Sequence, residues 1–177
     1  MLESFRLRPA RHDELQRLVE IDDEASALFV QAGFNLVFEK DHPFVVAEVT
    51  RWAEAIARGL AIVAVDVQDH PLGFAAFKFV DDEPYLDQLA VRPSVMRRGV
   101  GGALLSYAVS WCGDRSLWLT TYSHLQWNRP YYERHGFSQV PERACGPQLC
   151  AILEEQRAAL PDPAERIAMV RRQKILG

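Results

Sequence analysis

The chain has 177 residues, 49% of them apolar and 25% charged, a length and balance that fit one domain with a substantial core and exclude a disordered segment. Its formal net charge is −4, and its basic side chains cluster only at Arg97-Arg98 and Arg171-Arg172, which argues against a nucleic-acid binder. No 18-residue apolar span and no apolar leader occur, so a cytoplasmic protein away from the membrane is expected; Cys112, Cys145 and Cys150, odd in number and without metal-ligand spacing, are expected to be reduced, mostly buried thiols with no metal.

Residues 4–8 read as a first strand, ended by Pro9, which removes a backbone donor. Over residues 12–31, Leu15, Leu18, Val19, Ala25, Leu28 and Phe29 recur on one helical face. Asp22, Asp23 and Glu24 fall mostly on the wet side, and Gly33 stops the helix. Pro43 opens a second helix, striped by Val45, Val46, Val49, Trp52, Ala53 and Ile56 and closed by Gly59. The loop between them, FNLVFEKDHP, carries three large apolar residues, as a loop covering a binding site does.

LAIVAVDV is a strand, Asp69-His70-Pro71 a turn, and LGFAAFKFV the returning strand of a hairpin. Asp81-Asp82-Glu83-Pro84 turns the chain into YLDQLAV, residues 85–91, whose β-branched, aromatic and aliphatic residues suit a sheet interior. Arg92-Pro93-Ser94 breaks that strand. Met96-Arg97-Arg98-Gly99-Val100-Gly101-Gly102 follows as a basic, glycine-rich turn, and then ALLSYAVSWC, apolar almost all round like a helix packed on a sheet. A strand over 117–122, a short helix opened by Pro130 and ended by Gly136, and a strand FSQV come next. A helix from Gly146-Pro147 to Leu160 and a last strand over 166–171 complete the chain. The order β-α-α-β-β-β-α-β-α-β, then helix and strand, predicts an α/β mixed sheet in a single domain over residues 1–177.

The strand, glycine turn and helix over 85–112 have a chemical use. The first N–H groups of a helix lack intrahelical partners and carry the positive end of its dipole. Gly99, Gly101 and Gly102 let a ligand come close to this backbone. Arg97 and Arg98 add fixed positive charge. The combination suits a pyrophosphate. A P-loop would need a Lys-Ser/Thr pair after its second glycine, and none is present. A dinucleotide fingerprint would need a third glycine where Leu104 stands, and an acid about 20 positions on, where Thr120 and Thr121 stand.

VRPSVMRRGVGGALL resembles motif A of the GNAT superfamily of acyl-CoA-dependent N-acyltransferases, Arg/Gln-x-x-Gly-x-Gly/Ala after a strand and a V-x-P turn. Gly99 and Gly101 match its glycines; Met96 stands where the family usually has Arg or Gln. The resemblance covers about residues 4–172. It implies a mixed sheet with helices on both faces, splayed between the 85–91 strand and the one after the next helix. It further implies that the backbone of Leu89, Ala90 and Val91 pairs with pantetheine. Met96, Arg97, Arg98, Gly99, Val100, Gly101, Gly102 and Ala103 would hold the pyrophosphate of acetyl-CoA.

Tyr132 to Phe137 reads Tyr-x-x-x-Gly-Phe and resembles the family's motif B, whose tyrosine protonates the departing CoA thiolate. By residue type Tyr131 is an equal contender; the motif selects Tyr132. The usual motif-B asparagine is replaced by Leu125, while Asn128 resembles a Trp-Asn-x-Pro variant, where it would bond pantetheine or, more in keeping with its position, cap the helix. Attack needs a neutral amine, hence a proton acceptor. Glu83, Tyr85 and Asp87 share a strand face if the strand starts that early, making Asp87 the first choice and Glu83 the second. His124, after the next strand, borders the site or lies on the surface.

These readings imply an acetyl-CoA-dependent N-acetyltransferase acting by direct transfer to a primary amine in a ternary complex. The alternative is a catalytically idle acyl-CoA-binding or sensing module on the same fold. Glu39, Asp41, Asp81, Asp82, Glu83 and Asp87 either solvate two turns or form a negative pocket mouth for a cationic amine acceptor such as a polyamine or an aminoglycoside; the residues themselves leave small polyamine, antibiotic, amino acid and protein N-terminus open as acceptors. Oligomeric state is not legible, and a homodimer stays open.

Overall fold

In the computed structural model, which describes residues 4–173 apart from Asn35 and Val37, the strands are β1 (Arg6–Pro9), β2 (Ala61–Val65), β3 (Pro71–Val80), β4 (Glu83–Val91), β5 (Leu117–Tyr122), β6 (Ser138–Val140) and β7 (Arg166–Arg171). They form one mixed sheet in the order β1-β2-β3-β4-β5-β7-β6. β4 and β5 run parallel, with Tyr85 opposite Trp118. The β1–β2, β2–β3, β5–β7 and β6–β7 pairs are antiparallel. The helices are α1 (Leu15–Gln31), α2 (Pro43–Ala57), α3 (Val100–Trp111), α4 (Arg129–Arg134) and α5 (Pro147–Ala159). The element order is the one the sequence predicts, and no helix among the described residues is long and apolar enough to cross a membrane.

Contacts divide the chain into two compact units. One runs from the N-terminal side to Phe77 and includes Gln88–Ser110; the other comprises Lys78–Asp87 and the chain from Trp111 onward. In the first unit, Leu18 and Ile21 of α1 and Trp52, Ala55 and Ile56 of α2 pack on Val63 and Val65 of β2, Phe74 and Ala76 of β3, and Ala90 of β4. Side chains alternate along a strand, so Gly73, Ala75 and Phe77 face the other way. There α3 packs: the Phe77 and Tyr107 rings stack at 6.0 Å, and a Cβ on Gly73 would meet Leu104 at 3.3 Å. Helices therefore cover both faces of β3. Burying these side chains is the main stabilising term, about 1.5–3 kcal/mol for each large apolar residue.

In the second unit, Leu149 and Leu153 of α5 pack on Val80, Tyr85 and Ala168. The β3–β4 turn ties this helix down. Asp81 and Asp82 both adopt left-handed backbone, φ 51° and 60°, as a tight hairpin demands. The Asp81 carboxylate accepts the Gln148 and Leu149 N–H groups at 2.9 and 3.0 Å, while its own N–H donates to Gln148 Oε1 at 2.7 Å. The turn thus caps α5, whose own preceding residue, Gly146, has no side chain to do so.

Three expectations shift. α3 opens at Val100, so Gly101, Gly102 and Ala103 belong to its first turn rather than to the turn before it. Asp22 is half-buried and bonded to Gln88 rather than lying on the wet side. Of the cysteines, all free, Cys112 is buried and Cys145 and Cys150 are half-buried. In the loop between α1 and α2, Phe34 meets Phe29 edge-on at 6.2 Å, and Phe38 lies 4.8 Å from His42; the rest of that reading, at Asn35 and Val37, lies outside the described residues.

Candidate active site

The first unit carries the anion-ready turn. Met96 ends a 3₁₀ turn, Pro93–Val95. The chain then enters left-handed backbone twice, at Arg97 (φ 62°) and Gly99 (φ 85°). Left-handed backbone costs most residues about 1–2 kcal/mol, so the glycine at 99 meets a conformational need. Ala103 N–H donates to Gly99 O at 2.9 Å, the bond that opens α3. The N–H groups of Val100, Gly101 and Gly102 precede it and lack intrahelical acceptors. Met96, Arg97, Arg98 and Gly99 are exposed, Val100 is buried, and Gly101, Gly102 and Ala103 are half-buried. A Cβ on Gly102 would meet nothing within 4 Å. The turn therefore offers backbone donors, the positive end of a 12-residue helix and two exposed arginines. Just before it, Ala90 is buried in the core while Leu89 and Val91 are half-buried.

The second unit carries the tyrosines. Pro130 lies in the first turn of α4, and Gly136, at φ 87°, ends it. Tyr132 is half-buried, its ring edge-on to Tyr131 at 5.4 Å and to Phe137 at 5.6 Å. Burial raises the Tyr132 phenol well above the ordinary tyrosine value; Tyr131 and Tyr85 add to the rise and Arg166 opposes it. Tyr132 thus keeps its proton through neutral pH. Tyr131 differs: its hydroxyl is buried with no hydrogen-bond partner. Asn128 occupies the cap position of α4, yet its side chain makes no capping bond. The expectation of a cap fails on backbone geometry: Asn128 sits at φ −110° and ψ −108° rather than in the extended conformation of a capping residue, and Pro130 in the first turn has no N–H to donate to it.

β4 does begin at Glu83, so Glu83, Tyr85 and Asp87 fall on one face. Both candidate proton acceptors meet a cation. Lys78 Nζ lies 3.6 Å from Asp87, whose side chain is only 7% exposed. Arg115 lies 3.8 Å from the half-exposed Glu83. Tyr85 donates to or accepts from Thr120 Oγ1 at 3.0 Å, and Arg166 donates to the same oxygen at 3.2 Å. His124 is on the surface beside Asp162 (3.4 Å) and Glu165 (3.9 Å). Of the acids expected at a pocket mouth, Asp81 caps α5 and Asp87 is paired, while Glu39, Asp41 and Asp82 are exposed.

Sequence reading missed Asp22. It stands on α1 and accepts a hydrogen bond from the Gln88 side chain of β4. Desolvation, reinforced by Asp23 and opposed by the Gln88 bond, raises its carboxyl to about 6. Helical periodicity gave a partial signal, since Asp22 sits beside Ile21 and one turn from Leu18 and Ala25.

A mixed sheet with helices on both faces of β3, and a glycine turn opening a helix directly after β4, define an α/β protein with backbone donors and two arginines gathered at the start of α3. Residues 12–137 match the model of the acetyltransferase (GNAT) family, and the chain belongs to that family. A curated relative, the uncharacterized N-acetyltransferase YafP of Escherichia coli K12, is 32% identical over 94 residues, 53% of this chain and 56% of that protein. The chain thus matches little more than half of that relative's length. Among solved structures, the PaiA N-acetyltransferase of Thermoplasma acidophilum, in complex with coenzyme A, has a TM-score of 0.65 at 16% identity, covering 96% of this chain and 99% of that one. A GNAT-family acetyltransferase from Staphylococcus aureus Mu50 reaches 0.72 at 12% identity, covering 97% and 100%. These two likenesses show the fold.

Proposed function

We propose that the protein transfers the acetyl group of acetyl-CoA to a primary amine, by direct attack in a ternary complex. The observation that carries this reading is the left-handed turn at Arg97 and Gly99 opening α3 after β4, in a chain of the acetyltransferase (GNAT) family. The coenzyme A complex of the Thermoplasma protein, of like fold, supports the choice of cosubstrate.

Residues 96–103 would hold the pyrophosphate through backbone N–H groups and the two arginines. The backbone of Leu89, Ala90 and Val91 would pair with pantetheine, and the uncommitted Asn128 amide would add a bond. Tyr132, held protonated by burial, would donate to the sulfur as the C–S bond breaks. No step calls for a metal. The acceptor is a small cationic amine, a reading supported by the exposed Glu39 and Asp41 between α1 and α2.

The test is CoA release with spermidine, an aminoglycoside, a lysyl peptide and glutamate as acceptors, at low and high salt, beside thermal shifts with acetyl-CoA, NAD and ATP. We expect stabilisation by acetyl-CoA alone, and turnover of cations that weakens with salt. Binding of acetyl-CoA without turnover of any amine would favour a sensing module. Glutamate as the best acceptor, with no salt dependence, would remove the cationic reading.

A further inference from the structure

We propose that Asp22 of α1 is the proton acceptor for the incoming amine, receiving the ammonium proton beside β4. The inference rests on the acetyltransferase reading above and adds to it a residue on an element that the motifs do not touch.

A carboxylate taken out of water needs a cation or several hydrogen bonds. Asp22 is half-buried, and its hydrogen-bond partner is a neutral amide, Gln88. Among the described residues no cation pairs with it, and the charge that acts on it is Asp23, of like sign, on its own helix. Asp87 and Glu83, by contrast, have Lys78 and Arg115. Two residues along α1, Glu24 is paired with Arg92 at the end of β4, so that cation is already matched. The site at Asp22 therefore lacks one positive charge, and it remains partly open to solvent. An alkylammonium supplies that charge. Gln88 immediately precedes Leu89, the first of the residues assigned to pantetheine, which sets the acid beside the strand that would carry the acetyl group. The carboxyl near 6 is ionised at neutral pH yet basic enough to take a proton, the condition for an efficient general base.

Asp22 takes one proton from R–NH3+, leaving R–NH2. The nitrogen lone pair forms the C–N bond to the acetyl carbon, and the C–S bond breaks with its electron pair on sulfur. Sulfur takes the Tyr132 proton. The nitrogen's second proton, acidic once nitrogen is positively charged, passes to solvent, solvent reprotonates Tyr132, and Asp22 releases its proton to solvent. The products are the amide, CoA thiol and one proton.

The experiment compares the parent protein with Asp22→Asn, Asp87→Asn and Gln88→Leu, using spermidine and tyramine as amine probes across pH 5–9. For Asp22→Asn we expect kcat/KM for amine to fall about 100-fold or more, with loss of the acidic limb near 6 and acetyl-CoA affinity unchanged by calorimetry. Its melting temperature at pH 8 should not fall. The folded carboxyl is raised, so its ionisation costs stability above about pH 6, and the neutral amide removes that cost. Gln88→Leu removes a bond that holds the carboxyl down, and should move the acidic limb to higher pH. Carbon-13 titration of the Asp22 carboxyl, which needs no turnover, should show its value falling on addition of spermidine. Parental kcat/KM and acidic limb in Asp22→Asn, or loss confined to Asp87→Asn, would overturn the assignment while leaving acetyl transfer standing. No CoA release by the parent from any amine would bring down both.

Discussion

Replacing Tyr132 with phenylalanine removes one hydroxyl and leaves the ring to meet Tyr131 and Phe137 edge-on as before. Stability should therefore change by less than about 1 kcal/mol. If the hydroxyl donates to the departing sulfur, kcat should drop about 100-fold, which corresponds to roughly 2.7 kcal/mol of barrier at 1.36 kcal/mol per tenfold. Acetyl-CoA affinity, set mainly at the α3 turn, should stay within about twofold, roughly 0.4 kcal/mol. Tyr131→Phe is the internal control, and its sign differs. That hydroxyl is buried without a hydrogen-bond partner, and an unmet buried hydroxyl costs about 1–3 kcal/mol. Its removal should leave the protein as stable or more so, with near-normal turnover. In the parent, burial raises the Tyr132 phenol above its ordinary value of 10.0, so no basic limb from this group should appear below that pH. The assay is steady-state CoA release under saturating acetyl-CoA, beside thermal melts of all three proteins. Parental turnover in Tyr132→Phe together with loss in Tyr131→Phe would show that the wrong face of α4 has been given the chemistry.

Gly101→Val places a branched side chain in the first turn of α3, where the pyrophosphate is proposed to approach; acetyl-CoA affinity measured by calorimetry should weaken tenfold or more, about 1.4 kcal/mol, with the far-UV spectrum unchanged. Asp81→Ala removes the two bonds that cap α5 and puts alanine at φ 51°; denaturant titration should record a loss of about 1–3 kcal/mol, and Asp81→Asn, which tolerates that backbone, should lose less. At the β1 end, Glu14 is lowered chiefly by its hydrogen bond with Arg8, and Asp69 chiefly by Arg8 as well. Both values are depressed in the folded state, so their contribution is present above the ordinary values of 4.5 and 3.8 and is lost as pH falls through the folded ones. Melting temperatures should fall steeply below about pH 4, and Arg8→Met should flatten that slope.

Local pattern alone determined the order of strands and helices, because apolar periodicity and the prolines and glycines at the element ends act over a few residues. It also determined the turn from Met96 to Gly102 and the Tyr132 to Phe137 block, since contiguous residues shape a helix N-terminus and a short helix bounded by a proline and a glycine. The same short range explains the error at α3: a run of glycines reads as a turn, but the first i→i−4 bond, Ala103 to Gly99, decides where the helix starts. What the tertiary structure alone decided is the electrical state of the acids. Asp81 finds α5 at a separation of 67 residues, and Asp22 finds Gln88 at 66. Lys78 is brought beside Asp87 across the tight β3–β4 turn. Side-chain charge carries no signature of its partner in the sequence. Strand pairing and helix docking chose the partners, and with them which carboxylate is a cap, which is paired and which still lacks a cation.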